Sequence, residues 1–297
     1  MRTKPNWGKM LRLLVIDLAV LLILRITLGL AGCFEIPESR PAAAAVQDGV
    51  HLPIIMYHSI RKGPESGYAV TPETLESDLA YLRSGGWEGV SPDDLVRFVR
   101  DGMPLPEKPI LLTFDDGFYN NLCYAVPLLE QYGFCATVNI VGEFSQDLAP
   151  ADPHVPAYPY LTAPDLQEMQ ASGRISFGNH TSRMHHRGAR MGCRIRADES
   201  EAAYRAVLRK DLADTQLFLH HAIGEEPTIF AYPYGFECPE ALPVLQEMGF
   251  YITLTCYEGD NYLTSDPACL RELRRWNRAG NQSSEVFFSK VFANFSA

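Results

Sequence analysis

From residue 52 onward, short continuous apolar runs alternate with stretches whose apolar residues recur every three or four positions. This pattern predicts strands alternating with helices, and hence an α/β domain with a largely parallel sheet. Leu52 to Tyr57 (LPIIMY) is the first candidate strand and ends at His58. Leu75, Leu79 and Leu82 then predict a helix through Arg83, with Thr71 as N-cap and Pro72 in its first position. Pro109 to Phe114 (PILLTF) is apolar throughout and stops at Asp115-Asp116-Gly117, so it reads as a buried strand delivering two acids at its C-terminal end. Helix Leu122 to Tyr132, strand Cys135 to Val141, helix Pro164 to Ala171, strand Arg174 to Gly178, helix Glu199 to Ile223, strand Thr228 to Ala231, helix Pro239 to Met248 and strand Tyr251 to Thr255 follow, with a Pro-rich irregular stretch over 147–164. About seven β/α repeats suit a barrel.

The pattern before residue 50 is different. Arg2, Lys4, Lys9 and Arg12, with no acid among residues 1–12, precede an apolar segment over 13–33 that is interrupted by Asp17 and Arg25. A cationic flank before a segment of spanning length predicts a cytoplasmic 1–12, a membrane anchor and an extracytoplasmic remainder. Each internal charge costs about 3 kcal/mol at mid-bilayer, less near an end. Leu30-Ala31-Gly32-Cys33 also matches a lipoprotein cleavage signal, and an ordinary cleaved signal is a further alternative. Residues 34–49 read as a tether, leaving 50–297 as a single catalytic domain.

Composition narrows the field. With 46% hydrophobic and 21% charged residues, 297 residues can bury a real core, which excludes a disordered chain or a minimal disulfide scaffold. Thirty-six acids against 26 Lys and Arg give a formal charge of −10, and no basic stripe appears, so nucleic acid is not expected as a partner. The seven cysteines form no CxxC pair, which argues against a structural zinc ribbon.

Three segments carry candidate chemistry. Adjacent acids on a continuing strand point to opposite faces, so Asp115 and Asp116 can share a site only if the strand ends there. Phe177 to His186 (FGNHTSRMHH) places imidazoles at 180, 185 and 186 just after a strand, and neutral imidazole plus carboxylate is a typical ligand set for zinc and related cations. Phe230 to Gly235 (FAYPYG) is a third strand end. Taken singly, each is also readable as a turn or a solvated loop. Together they fall where a β/α barrel builds its active site.

In that order the three segments resemble the polysaccharide deacetylases of carbohydrate esterase family 4, the NodB homology domain: TFDDG, the His-Thr…His segment and the PYG turn. MYHSI at 56–60 and YLTAPDLQEMQASG at 160–173 extend the resemblance toward the poly-N-acetylglucosamine deacetylase branch. The resemblance implies a deformed (β/α)7-type barrel that removes N-acetyl groups from a GlcNAc-containing extracellular or cell-wall polysaccharide. It also implies one divalent metal, zinc first among the candidates, on Asp116, His180 and His185, with Asp115 as general base and the Tyr234 backbone N–H holding the oxyanion. His186 competes with His185 as second imidazole.

Two departures stand out. Ala231 occupies the place, two before the Pro of the third segment, where many members carry an Arg that pairs the catalytic Asp; Arg275 is the candidate replacement. No His follows His221 to act as general acid, which nominates His58 or a double role for Asp115. A catalytically weak glycan-binding module, or a hydrolase of another acetyl ester or amide, is the alternative.

Overall fold

The computed structural model describes residues 49–147 and 159–295. The expected cationic flank, membrane segment and Cys33, and all but the end of the tether, lie outside the described residues, as does most of the Pro-rich stretch. Among the described residues no helix is long and apolar enough to cross a membrane.

Seven strands form one parallel sheet: β1 (Ile54–Tyr57), β2 (Pro109–Phe114), β3 (Ala136–Ile140), β4 (Ile175–Asn179), β5 (Ile229–Ala231), β6 (Ile252–Leu254) and β7 (Trp276–Asn277). Their spatial order is β6-β5-β4-β3-β2-β1-β7, with the short segment Glu88–Gly89 also paired to the start of β2. The sheet curls into a deformed barrel. Leu273, just before β7, donates its N–H to Thr253 at 2.8 Å and accepts from Thr255 at 2.9 Å, while Trp276 and Asn277 pair with Ile55 and Met56 of β1. One stretch of chain therefore bonds to both edges.

The helices of six residues or more are α1 (Pro72–Ser84), α2 (Pro92–Asp101), α3 (Val126–Tyr132), α4 (Ala163–Ala171), α5 (Glu201–Ile223), α6 (Leu242–Glu247) and α7 (Ser284–Val291), and a shorter one, Gly142–Gln146, follows β3. In α1 the Thr71 hydroxyl accepts from the Thr74 N–H at 3.2 Å, and Leu75, Leu79 and Leu82 are fully buried against the sheet. Each such leucine contributes about 1.5–3 kcal/mol. The expected helix Leu122 to Tyr132 divides into a π-turn, Asn121–Ala125, and α3, because Pro127 brings no N–H to the ladder. Pro239 and Pro243 likewise split the expected Pro239 to Met248 helix into a 3₁₀ turn and α6. Helix α5 starts at Glu201 rather than Glu199, since Ser200 caps it. Helices α2 and α7 were not anticipated, although Ser91 and Asp94 form a complete capping box around Pro92.

Strands β1, β2, β3, β5 and β6 are buried along their whole length, which is why they read as largely apolar runs. Ile54, Leu111, Ile229, Ala231, Ile252 and Leu254 share one cluster; Ile55, Tyr57, Leu112, Phe114, Val138 and Ile140 share another with α1. Toward the C-terminal strand ends the lining turns polar: Thr113, Asp115, Asn139 and Arg275 are all buried there.

Candidate active site

The sheet ladder continues one residue past β2, where the Asp115 N–H donates to Tyr57 at 3.0 Å. Asp116 then takes φ 73°, in the left-handed region, and Gly117 follows at 68°. This reversal brings both carboxylates to one cavity, and a non-glycine residue held there costs roughly 1–2 kcal/mol. Thr181 at φ 69° and Tyr234 at φ 59° repeat the device in the other two segments.

The cavity, about 570 Å³, is lined by Asp115, Asp116, His58, His180, His185, Tyr234 and Arg187, with Tyr68, Phe118 and Cys256 among its walls. Arg275 is fully buried beneath it. Its Nη1 and Nη2 each donate to one oxygen of Asp115 at 2.8 Å. The other three N–H groups reach the Thr255 carbonyl at 2.7 Å, Thr113 Oγ1 at 3.2 Å and Cys256 Sγ at 3.6 Å, so all five guanidinium donors are used. Burial alone would raise the Asp115 carboxyl, but Arg275, and after it His180, hold it well below the usual carboxylate range. The place two before Pro233 is not idle: the Ala231 carbonyl lies 2.7 Å from His180 Nδ1.

That contact fixes the imidazole. With Nδ1–H donated to Ala231, Nε2 of His180 is left as a lone pair facing the cavity. His180 Nε2 and His185 Nε2 lie 3.7 and 3.3 Å from Asp116 Oδ1, and the three ligand atoms fall within 4.8 Å of one another. Asp116 Oδ1 is buried and accepts no hydrogen bond. One carboxylate oxygen and two imidazole nitrogens thus converge on one point, a donor set and spacing that fit a divalent cation. The electrostatics of the site agree. Burial, then the neighbouring Asp115, pushes the Asp116 carboxyl up to about 7. Burial, then His180, pushes the His185 imidazole down to about 3, and burial also lowers His180. Both imidazoles are therefore neutral, as ligands must be, while a bound cation would favour ionised Asp116.

His186 lies elsewhere: its side chain is 57% exposed and its Nε2 sits 3.1 Å from Glu143. Met184 is buried in a separate apolar cluster. Tyr234 donates its hydroxyl to the His185 carbonyl at 3.2 Å and lies under the Arg187 guanidinium, 4.5 Å from the ring centre. His58 follows β1 and meets Tyr68 edge-on at 4.9 Å, with Nδ1 buried and without a hydrogen-bond partner. Burial, opposed by Asp115 and reinforced by Arg275, pushes it down to about 4. The structure thus brings Asp115, Asp116, His58, His180, His185 and Tyr234 to one cavity with Arg275 below it. It adds Asn139, which donates to Asp115 at 2.7 Å and which sequence reasoning passed over. The available signal was a lone amide in the strand Ala-Thr-Val-Asn-Ile-Val.

A buried, arginine-clamped carboxylate beside three converging ligand atoms defines a site suited to metal-assisted hydrolysis. The family model for polysaccharide deacetylases matches residues 102–253, and the chain belongs to that family. It is 27% identical over 208 residues to YxkH of Bacillus subtilis (strain 168), covering 70% of this chain and 65% of that one. It is 24% identical over 280 residues to the poly-beta-1,6-N-acetyl-D-glucosamine N-deacetylase of Escherichia coli (strain K12), covering 86% of this chain and 41% of that one. The chain thus spans less than two thirds of the length of either relative. The BpsB deacetylase domain from Bordetella bronchiseptica superposes with a TM-score of 0.61 at 26% identity, over 76% of this chain and 94% of that domain.

Proposed function

We propose that the chain is a metal-dependent N-deacetylase acting on a GlcNAc-containing extracellular or cell-wall polysaccharide. The observation that carries this reading is the convergence of Asp116, His180 and His185 beside the Asp115–Arg275 pair. Asp116 Oδ1 and the two Nε2 atoms would hold the cation, zinc being the one best matched to nitrogen and carboxylate ligands. When bound, such a cation polarises the acetamide carbonyl and acidifies water.

The remaining steps fall to the chain. Asp115, ionised at neutral pH, accepts a proton from the attacking water. The Tyr234 backbone N–H offers a hydrogen bond to the oxygen on which charge develops. The amide C–N bond breaks, acetate leaves, and the amine takes a proton returned by Asp115 or passed on by His58. Because resting His58 is neutral, it can donate only after taking up a proton during turnover.

The cationic flank and apolar segment over residues 1–33 support an anchored enzyme whose catalytic domain faces outward, where such glycans are within reach. Acetate release from a panel of GlcNAc oligomers, measured together with bound metal, tests the activity. No release from any of them with a full metal site overturns it. Intact mass of the membrane fraction tests the anchor, since lipid on an N-terminal Cys33 would replace it with a lipoprotein.

A further inference from the structure

The two oxygens of Asp115 are not equivalent. Oδ1 accepts from Arg275 Nη1 at 2.8 Å and from Asn139 Nδ2 at 2.7 Å, so both of its lone pairs are engaged. Oδ2 accepts from Arg275 Nη2 and lies 4.0 Å from His180 Nε2.

Asn139 sits on β3 directly opposite Gly178 on β4. A Cβ on Gly178 would stand 2.0 Å from Asn139 Oδ1, so the amide occupies the space that any other residue's side chain would fill. Gly178 has no left-handed φ, and its backbone conformation does not call for glycine. Room for Asn139 does. The amide oxygen itself has no hydrogen-bond partner, which leaves the bond to Asp115 as the polar contact that orients the group.

We propose that Asn139, seated by the missing side chain of Gly178, is a positioning residue that occupies Oδ1 and leaves Oδ2 as the proton-accepting oxygen of Asp115. The inference rests on the deacetylase reading, in which Asp115 is the base. Asn139 does not line the cavity and its hydrogen bond goes to Asp115 rather than to a cation ligand, so its loss should alter turnover rather than substrate or metal binding.

The experiment compares Asn139→Leu, Asn139→Ala, Gly178→Ala and the Asn139→Ala/Gly178→Ala double variant in the metal-loaded protein. Acetate release from a GlcNAc oligomer, bound zinc and Tm are the readouts. Asn139→Leu and Asn139→Ala should lower kcat by roughly 10–100-fold with KM and zinc content unchanged, as expected when a catalytic group loses a partner that orients it. Gly178→Ala should lower both kcat and Tm in the native background and cost much less once residue 139 is alanine, where the 3.2 Å approach to Ile229 Cγ2 is what remains. An active native protein whose Asn139 variants keep kcat within twofold overturns the inference. So does a Gly178→Ala cost that is the same in both backgrounds. A native protein that releases no acetate overturns the deacetylase reading and the role of Oδ2 with it, while the Tm comparison still tests the seat of Asn139.

Discussion

Asp115 and Arg275 stand 160 positions apart in sequence and meet in two hydrogen bonds of 2.8 Å, with both side chains buried. Arg275 is fully buried and Asp115 is 1% exposed at the cavity wall, so removing one leaves the other largely uncompensated. Arg275→Ala should destabilise the domain by about 3–5 kcal/mol, the usual penalty for orphaning a buried charge. Arg275→Lys should rescue little, since an ammonium cannot reproduce the fork that serves both oxygens and the Thr255 carbonyl. Urea unfolding of the two variants beside the native protein checks this; a loss under 1 kcal/mol for Arg275→Ala would mean the pair contributes little.

The ligand assignment separates two adjacent imidazoles. His180→Ala and His185→Ala should each lose most bound metal, because two protein ligands seldom hold zinc against buffer. His186→Ala should keep it, as that ring lies on the surface beside Glu143. Elemental analysis after dialysis distinguishes the three, and full occupancy in His185→Ala would remove that residue from the site.

For Asp115→Asn the metal should stay bound while acetate release falls. An amide cannot take the proton, and loss of a general base lowers rates by roughly 10²–10⁴-fold, more where the same group also returns it. Near-native turnover in this variant, measured alongside metal content, would place the base elsewhere.

How far the site could be read from sequence varies with the range of the contacts. The strand Pro109–Phe114 was legible to the residue because burial on both faces leaves an unbroken apolar run. The three strand-end segments were legible because each carries its own chemistry. The pairing of Asp115 with Arg275 could be named as a candidate, but its geometry depends on the curl of the sheet, which no local pattern encodes. Asn139 was invisible for a related reason. Its partner lies on the neighbouring strand, 24 positions earlier in the chain, and its seat is defined by an atom that Gly178 lacks. Helices α2 and α7 are a different kind of omission, since the Ser91-Pro92-Asp93-Asp94 start was present and its capping box is complete.

The half-buried His58 gives a pH dependence with a definite sign. Its pKa near 4 in the fold, against about 6.5 in the unfolded chain, means the unfolded chain binds the proton first as the pH falls. The contribution of neutral His58 to stability is complete above about pH 6.5 and is lost progressively toward pH 4, amounting to about 3 kcal/mol over that window. His58→Gln should flatten part of the decline. Urea titrations at pH 7.5, 6 and 5, with chelator in both samples, test it; parallel curves for native protein and variant would show that His58 stays solvated in solution.

The residues that join the two edges of the sheet also carry Arg275, and among the described elements they are synthesised late. Until they arrive, Asp115 has no counter-charge and the first and last strands have no common neighbour. Closure of the wall and arming of the carboxylate are therefore the same event. A chain still emerging from the ribosome has already made Asp116, His180 and His185 while Asp115 still lacks its arginine. Strand pairings between distant parts of a chain form slowly as a rule, so topology delays the Asp115–Arg275 pair until the domain is whole.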